Sequence, residues 1–243
     1  MKMYIKRIVF AVFGLALVGI CVININKKSS DVFEYMPVTN KTIILDAGHG
    51  GIDPGTMSND ESIQEKDLNL HITLKLKKLL ESSGAMVFLT REEDVSLYEE
   101  SEGKTIREKY NENLRNRKAM IEEIEADMFI SIHMNALQGV KNAEKYYGAQ
   151  TFYPSQDEKS KLIADLVQAE MKRVVDNTNN REIKPSEDIY LLKENEIPSI
   201  LVECGFLSNE KEAHMLTEDE YQNKIAWGMY VAIQQYFSLE TEK

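Results

Sequence analysis

Cysteine is almost absent from this sequence, which contains two in 243 residues, Cys21 and Cys204. Cys21 lies in an apolar segment near the N-terminus, so the rest of the chain has one cysteine and no intrachain disulfide available to it. Five prolines and 12 glycines are too few for a collagen-like or low-complexity chain. Because 43 % of the residues are hydrophobic, the composition favours a packed globular protein over a disordered one.

Basic residues are scarce outside the N-terminus. The first 28 residues hold five basic side chains and no acidic one, and the remaining residues carry 24 basic against 40 acidic side chains. The formal charge of that larger part is −16, compared with −11 for the whole chain. Nucleic acids are bound mainly by basic surfaces that neutralise phosphates, so we expect no nucleic-acid partner for this acidic body.

One long apolar run occupies residues 8–23 (IVFAVFGLALVGICVI) and has basic residues on both sides. Asn24, Ile25 and Asn26 extend the run as far as Lys27, and at 1.5 Å per residue the extended run is just long enough to cross the hydrocarbon core of a bilayer. The basic flanks favour an N-terminus on the inside and an acidic body on the outer, extracytoplasmic side of the membrane. A cleaved signal peptide is the alternative, but no A-x-A-like cleavage site follows the run.

The composition divides the chain into four segments. Residues 1–28 are predicted to be a membrane anchor or an uncleaved signal, and residues 29–40 (SSDVFEYMPVTN) a polar linker. Residues 41–238 are predicted to form one folded domain, followed by a tail at residues 239–243.

Short β-branched apolar runs alternate with helical periodicity along the predicted domain. The runs that predict buried strands are residues 41–46, 85–90, 128–133 and 199–203. Helices are predicted for an apolar stripe from Leu68 to Leu80, for residues 105–126 and 156–176, and for a stripe from Ile225 to Tyr236. Strands that alternate with helices indicate an α/β domain with a twisted, largely parallel mixed sheet, covered by helices on both faces.

Chemistry-bearing side chains follow the predicted strands, and ligands of open parallel sheets bind at the carboxyl ends of the strands. His49 follows the first strand in a glycine-rich turn, His133 ends the third strand, and Glu203 ends the last. Two histidines and a carboxylate at one edge favour a hydrolytic zinc site, in which the carboxylate is a third ligand or a base. Each histidine also has an ordinary structural interpretation, on the surface or capping a strand.

Motifs of competing functions are missing. The chain has no G-x-x-x-x-G-K-[ST], and the third glycine of a G-x-G-x-x-G pattern is replaced by Asp53. It contains neither G-x-S-x-G, which carries the nucleophile of many serine hydrolases, nor H-E-x-x-H. Spacing alone therefore leaves the metal site as a hypothesis.

Five ordered segments carry a resemblance to a known family. They are IILDAGHGGIDPGT (43–56), QEKDLNL (64–70), LTREED (89–94), ADMFISIHMNA (126–136) and PSILVECGFLSN (198–209). In order and spacing they resemble the zinc-dependent N-acetylmuramoyl-L-alanine amidases of bacterial cell walls, over nearly all of residues 41–238. With its N-terminal anchor and no wall-binding repeats, the chain looks like the short amidases of endospore formers that process the spore cortex.

The resemblance implies one zinc ion per chain, bound by His49, Glu65 and His133, with a catalytic role for Glu203. Without it, Glu65 would be interpreted as an acid in a first helical turn that complements the helix dipole. The implied substrate is peptidoglycan, at the amide between the lactyl group of N-acetylmuramic acid and L-alanine of the stem peptide. Asn135 and Arg91 are further candidate substrate contacts.

In the spore subfamily, removal of the stem peptide prepares muramic acid for conversion to muramic-δ-lactam, in the space between the two forespore membranes. Two alternatives stay open: a zinc peptidase that cuts within the stem peptide, and a non-catalytic, membrane-tethered peptidoglycan-binding protein. The presence of all four site positions argues against the second. The sequence also leaves open whether the domain works with an accessory protein or as a homodimer.

Overall fold

The computed structural model describes residues 36–99, 101–137 and 139–241. The predicted membrane anchor and most of the predicted linker lie outside the described residues. Among the residues that are described, no helix combines the length and apolar character that crossing a membrane requires.

The described residues form six strands and five α-helices. In chain order these are β1 (Thr42–Ala47), α1 (Glu65–Ser82), β2 (Met86–Leu89), α2 (Ile106–Glu123), β3 (Met128–Asn135), β4 (Gln150–Tyr153), α3 (Glu158–Val174), β5 (Lys184–Pro185), β6 (Ser199–Phe206), α4 (Glu210–Thr217) and α5 (Asp219–Thr241). Short 3-10 turns occupy Ala143–Lys145 and Tyr190–Leu192. The four predicted strands and four predicted helices are all present, and α5 extends to Thr241, into the segment assigned to a tail.

The strands form one mixed sheet in the order β2-β1-β3-β6-β4-β5. β1, β2, β3 and β6 are parallel, and β4 is antiparallel to β6. The prediction of a largely parallel mixed sheet is therefore confirmed. Because four parallel strands point the same way, the residues at their carboxyl ends meet at one edge of the sheet, which is where the candidate site lies.

Helices cover both faces of the sheet, as expected. On one face α1, α3 and α5 pack against alternate strand residues that include Ile43, Ile130 and Val202. On the other face Ile121 of α2 and Ile44 of β1 belong to a smaller cluster of buried residues. Side chains alternate along a strand, so polar strand residues near the site share this second face with α2.

A buried ion pair between Asp46 of β1 and Arg117 of α2 lies on that second face. Asp46 also accepts hydrogen bonds from the hydroxyls of Thr90, at 2.7 Å, and Ser131, at 2.6 Å. Burial raises the pKa of Asp46, but Arg117, His133 and the two hydroxyls outweigh it and lower the pKa from 3.8 to about 2. Asp46 therefore stabilises the fold above its ordinary pKa, and this stabilisation is lost as the pH falls toward 2.

Replacing Arg117 with Met tests this ion pair. The substitution leaves Asp46 buried without its counter-charge, so we expect the free energy of unfolding to fall by about 3–5 kcal/mol at neutral pH. The double variant Asp46→Asn with Arg117→Met removes both charges and should recover part of that loss. Urea denaturation of the three proteins provides the measurement. Equal stability of the single and the double variant would contradict the prediction.

Candidate metal centre

The loop after β1 brings His49 to the carboxyl edge of the sheet. His49 has a positive φ of 63°, a region in which histidine is tolerated better than most side chains, and Gly50 and Gly51 follow with φ of 128° and 59°. A Cβ on Gly48 would collide with the imidazole of His133. The loop therefore needs glycine where the backbone turns and where it approaches a strand side chain.

Two arginines hold this loop through its backbone carbonyls. Arg91 is 3 % exposed and donates to the oxygens of Ala47 at 2.9 Å and Gly48 at 3.0 Å, and to two further backbone carbonyls. Arg117 donates to the oxygens of Ala47, at 2.9 Å, and His49. Arg91 is thus placed to fix the loop, and a direct contact between Arg91 and substrate stays a prediction.

Glu65 is the first residue of α1, and its carboxylate meets both histidines. It is 2 % exposed, and Oε1 lies 3.2 Å from Nε2 of His49 and 2.9 Å from Nδ1 of His133. All three ligand atoms lie within 4.8 Å of one another. In tetrahedral zinc sites with bonds of about 2.0–2.1 Å, neighbouring ligand atoms are about 3.3 Å apart. The three side chains can therefore hold one metal ion with little movement.

Backbone and amide groups fix the orientation of the Glu65 carboxylate. Oε2 accepts a hydrogen bond from the N–H of Thr56 at 2.7 Å. Oε1 accepts from the N–H of Met134 at 3.0 Å and from Nδ2 of Asn69 at 3.3 Å. Burial raises the pKa of Glu65, but its hydrogen bonds to the two histidines outweigh burial and hold the pKa well below its usual range. Glu65 is therefore an ionised carboxylate at neutral pH.

Asp53 orients the imidazole of His49. Its Oδ2 lies 2.8 Å from Nδ1 of His49, which leaves Nε2 directed toward Glu65. Burial lowers the pKa of His49, but the hydrogen bonds to Asp53 and Glu65 outweigh burial and raise the pKa to about 10. A carboxylate behind a histidine is the usual arrangement that fixes a metal-binding imidazole. A metal ion that binds here must displace the proton that His49 otherwise holds.

Glu203 lies on β6 beside His133, with which it is paired in the β3–β6 register. Its Oε2 is buried and has no hydrogen-bond partner among the described residues. Burial raises its pKa to about 7, with a further rise from Glu65 that is opposed by His133 and His49. A carboxyl group that titrates near neutral pH, next to a metal site, is suited to accept and donate a proton.

The structure thus brings together the four residues expected from the sequence to form the site. Asn135 lies on the same face of β3 as His133, and its contact with substrate stays a prediction. His71 and His214 are exposed on α1 and α4, outside the described cluster of possible ligands.

Supporting residues were missed by the sequence analysis. Asn69 is one helical turn after Glu65, and Asp53 is four residues after His49, so local spacing offered a weak signal for both. No local signal in the sequence pointed to Arg117, because it is 71 residues from its partner Asp46 in the chain.

The chain is similar to known cell-wall amidases. Residues 43–235 match the family model described as N-acetylmuramoyl-L-alanine amidase. The germination-specific N-acetylmuramoyl-L-alanine amidase of Bacillus subtilis is 37 % identical over 203 residues, which are 84 % of this chain and 82 % of that protein.

Two solved structures extend the similarity to the fold. The CwlD amidase of Clostridioides difficile, solved in complex with the GerS lipoprotein, has a TM-score of 0.80 and 62 % identity, covering 82 % of this chain and 100 % of that one. An N-acetylmuramoyl-L-alanine amidase from Clostridium difficile 630 has a TM-score of 0.70 and 29 % identity, covering 84 % of this chain and 100 % of that one.

His133→Ala tests the ligand set. We expect the wild-type protein to bind one metal ion per chain and the variant to lose it, whereas His71→Ala, a control at an exposed histidine, should bind normally. Affinity should fall at acid pH because the imidazoles must lose their protons to bind metal. Metal binding should also raise the unfolding temperature, because folding brings the three ligands together. Elemental analysis showing equal metal content in His133→Ala and wild type would refute this set.

Proposed function

The chain belongs to the family of N-acetylmuramoyl-L-alanine amidases, and from this membership we propose a mechanism, a setting and a partner for its activity. The bond cleaved is the amide between the lactyl group of N-acetylmuramic acid and L-alanine of the peptidoglycan stem peptide. We assign His49, Glu65 and His133 as ligands of one zinc ion and Glu203 as the general base. The observation that carries this assignment is a buried carboxylate oxygen of Glu203 that has no hydrogen-bond partner among the described residues and lies beside the three converging ligands.

The donor set fits zinc. Two imidazoles and one carboxylate are ligands that catalytic zinc sites use, whereas structural sites are closed by four protein ligands. When bound, zinc supplies an open coordination position, a lowered pKa for water of about 7 and a Lewis acid that polarises a carbonyl. Glu65 contributes the negative charge of this set, and its buried carboxylate is already ionised.

Glu203 moves the proton in the proposed reaction. Its carboxylate accepts a proton from the attacking water and passes it to the nitrogen of L-alanine, which leaves as an amine. The raised pKa, about 7, lets Glu203 perform both transfers near neutral pH. Burial of Oε2 keeps the carboxylate away from competing solvent hydrogen bonds.

Two further residues are proposed to support substrate binding, one by direct contact and one by fixing the loop after β1. Asn135 follows His133 by two positions on β3, on the same face of the sheet, and we propose that its side chain contacts the substrate near the cleaved amide. Arg91 acts through the loop, because its guanidinium donates to the carbonyls of Ala47 and Gly48.

We place this activity in the spore cortex. The relative from Bacillus subtilis is named germination-specific, and the CwlD amidase was solved with a lipoprotein. Removal of the stem peptide would prepare muramic acid for muramic-δ-lactam formation, and an accessory lipoprotein is the proposed partner. The apolar N-terminal run would anchor the domain on the extracytoplasmic side of the membrane, between the forespore membranes.

Glu203→Gln separates the base from the ligands. The amide keeps the size of the side chain but cannot accept the proton, so we expect full zinc content and peptide release lowered by about 10² to 10⁴. Glu65→Gln should lose zinc and activity together. The readouts are elemental analysis and mass spectrometry of products, in which an amidase yields peptides that begin with alanine and glycan with intact lactyl groups.

Two results would defeat the assignments. A Glu203→Gln protein that stays active, or that is inactive only because it is free of zinc, rules out the general base. Products cut within the stem peptide would support the alternative zinc peptidase, and zinc-loaded protein without any product would support a binding role.

The anchor is tested on intact cells or protoplasts that display the protein. Protease added outside should remove residues 41–243, and the cell-associated fragment should retain the N-terminal apolar run. Complete protection of the body, or a mature N-terminus beyond residue 25, would contradict the anchor.

A further inference from the structure

The end of β6 contains a β-bulge directly after Glu203. In the β3–β6 register His133 is opposite Glu203, and Asn135 is opposite Phe206. Two steps along β3 therefore correspond to three steps along β6, so β6 carries one extra residue between Glu203 and Phe206. Bulges bend a strand locally and redirect neighbouring side chains, and they are frequent beside active sites. The direction of the Glu203 side chain thus depends on how this strand end is held.

Glu212 of α4 holds that strand end from the side of β4. Its Oε2 accepts a hydrogen bond from the N–H of Phe206 and its Oε1 accepts one from the N–H of Gly148, both at 2.9 Å. The antiparallel ladder between β4 and β6 ends at the pair Gln150–Glu203. Beyond this pair, the backbone N–H groups of Gly148 and Phe206 both point toward Glu212, and two donors cannot bond to each other. The carboxylate supplies the two acceptors that complete this end of the ladder.

Close packing leaves the Glu212 carboxylate little freedom. The side chain is 3 % exposed, and a Cβ on Gly205, inside the bulge, would lie 2.9 Å from its carboxyl carbon. Asn209 caps α4 by accepting from the backbone N–H of Glu212 at 3.1 Å, so the start of the helix is fixed as well. Burial raises the pKa of Glu212 to about 7, and the two backbone N–H donors oppose this rise.

We propose that Glu212 is a positioning residue of the amidase, which holds the bulged end of β6 and thereby aims the carboxylate of Glu203 at the reacting water. The proposal rests on the proposed role of Glu203 as general base. Glu212 bonds to backbone groups of Phe206 and Gly148 and to none of the three proposed metal ligands. Its loss should therefore affect proton transfer and leave metal binding intact.

Glu212→Gln keeps the shape of the side chain and one acceptor oxygen, but its amide NH₂ faces a backbone donor. One of the two hydrogen bonds is lost, so the strand end shifts. Misplacing a catalytic group by about 1 Å costs up to about 10²-fold, and we expect kcat to fall by about 10- to 100-fold. Zinc content should stay at the wild-type level and KM within about twofold, because neither depends on the aim of Glu203.

Gly205→Ala reaches the same contact from the strand side. The added Cβ pushes the bulge away from the carboxylate of an unsubstituted Glu212, so the same loss of kcat with retained zinc is expected. This second variant decides the question if Glu212→Gln does not yield folded protein.

Two matched controls separate positioning from a general loss of stability. Glu170→Gln changes another buried carboxylate, on α3, where it binds Arg173 at 2.6 Å. Gly228→Ala on α5 adds a Cβ that would lie 3.0 Å from Cγ2 of Val174. Both controls should lower the unfolding temperature without changing kcat, when full-length protein is assayed well below its unfolding temperature.

Glu203→Gln is measured in the same assay, so that a failure of the general-base proposal can be distinguished from a failure of the positioning proposal. If Glu203→Gln stays active, the general base is wrong whatever Glu212→Gln does. If Glu203→Gln is inactive, and Glu212→Gln or Gly205→Ala keeps the wild-type kcat or loses activity only in proportion to zinc, the positioning role is overturned. An equal fall of kcat in the controls would also overturn it.

Discussion

The buried carboxylate of Glu65 is the constraint on which the candidate site depends. An ionised carboxylate in the interior is tolerated only when charges and hydrogen bonds compensate its lost hydration. Here two imidazoles and two backbone N–H groups surround it, and they come from the loop after β1, from β3 and from the segment before α1. The close approach that this requires leaves no room for a side chain on Gly55, where a Cβ would lie 2.6 Å from Oε2.

A second group of charges supports the first from within the sheet. Asp46 is the penultimate residue of β1, just before the loop, and Arg117 both neutralises it and donates to the carbonyls of Ala47 and His49. Arg91 holds the same carbonyl side of the loop from the segment after β2. The position of His49 is therefore set by two buried guanidinium groups as much as by its own backbone conformation. An apolar replacement of either arginine would free the loop and weaken metal binding indirectly.

Much of this architecture could be predicted from local patterns. Apolar runs that end in His133 and Glu203 predict that both residues lie at the carboxyl edge of parallel strands. Glu65 could not be found that way, because an acid in a first helical turn is common, and its assignment needed the family resemblance. The ion pair of Asp46 with Arg117 joins residues far apart in sequence, and β5 is two residues long, so neither leaves a periodic signal.

The sheet positions two of the four site residues, and a loop and a helix start position the other two. His133 and Glu203 are register partners on neighbouring strands, so the distance between a metal ligand and the proposed base follows from strand spacing of about 4.8 Å. His49 and Glu65 come from a loop and a helix start, and their convergence depends on buried charge. Substitutions in the loop or at the start of α1 should therefore change metal content first. Those at the carboxyl end of β6 should change turnover while the metal stays bound, because the bulge follows the pair His133–Glu203 in the ladder.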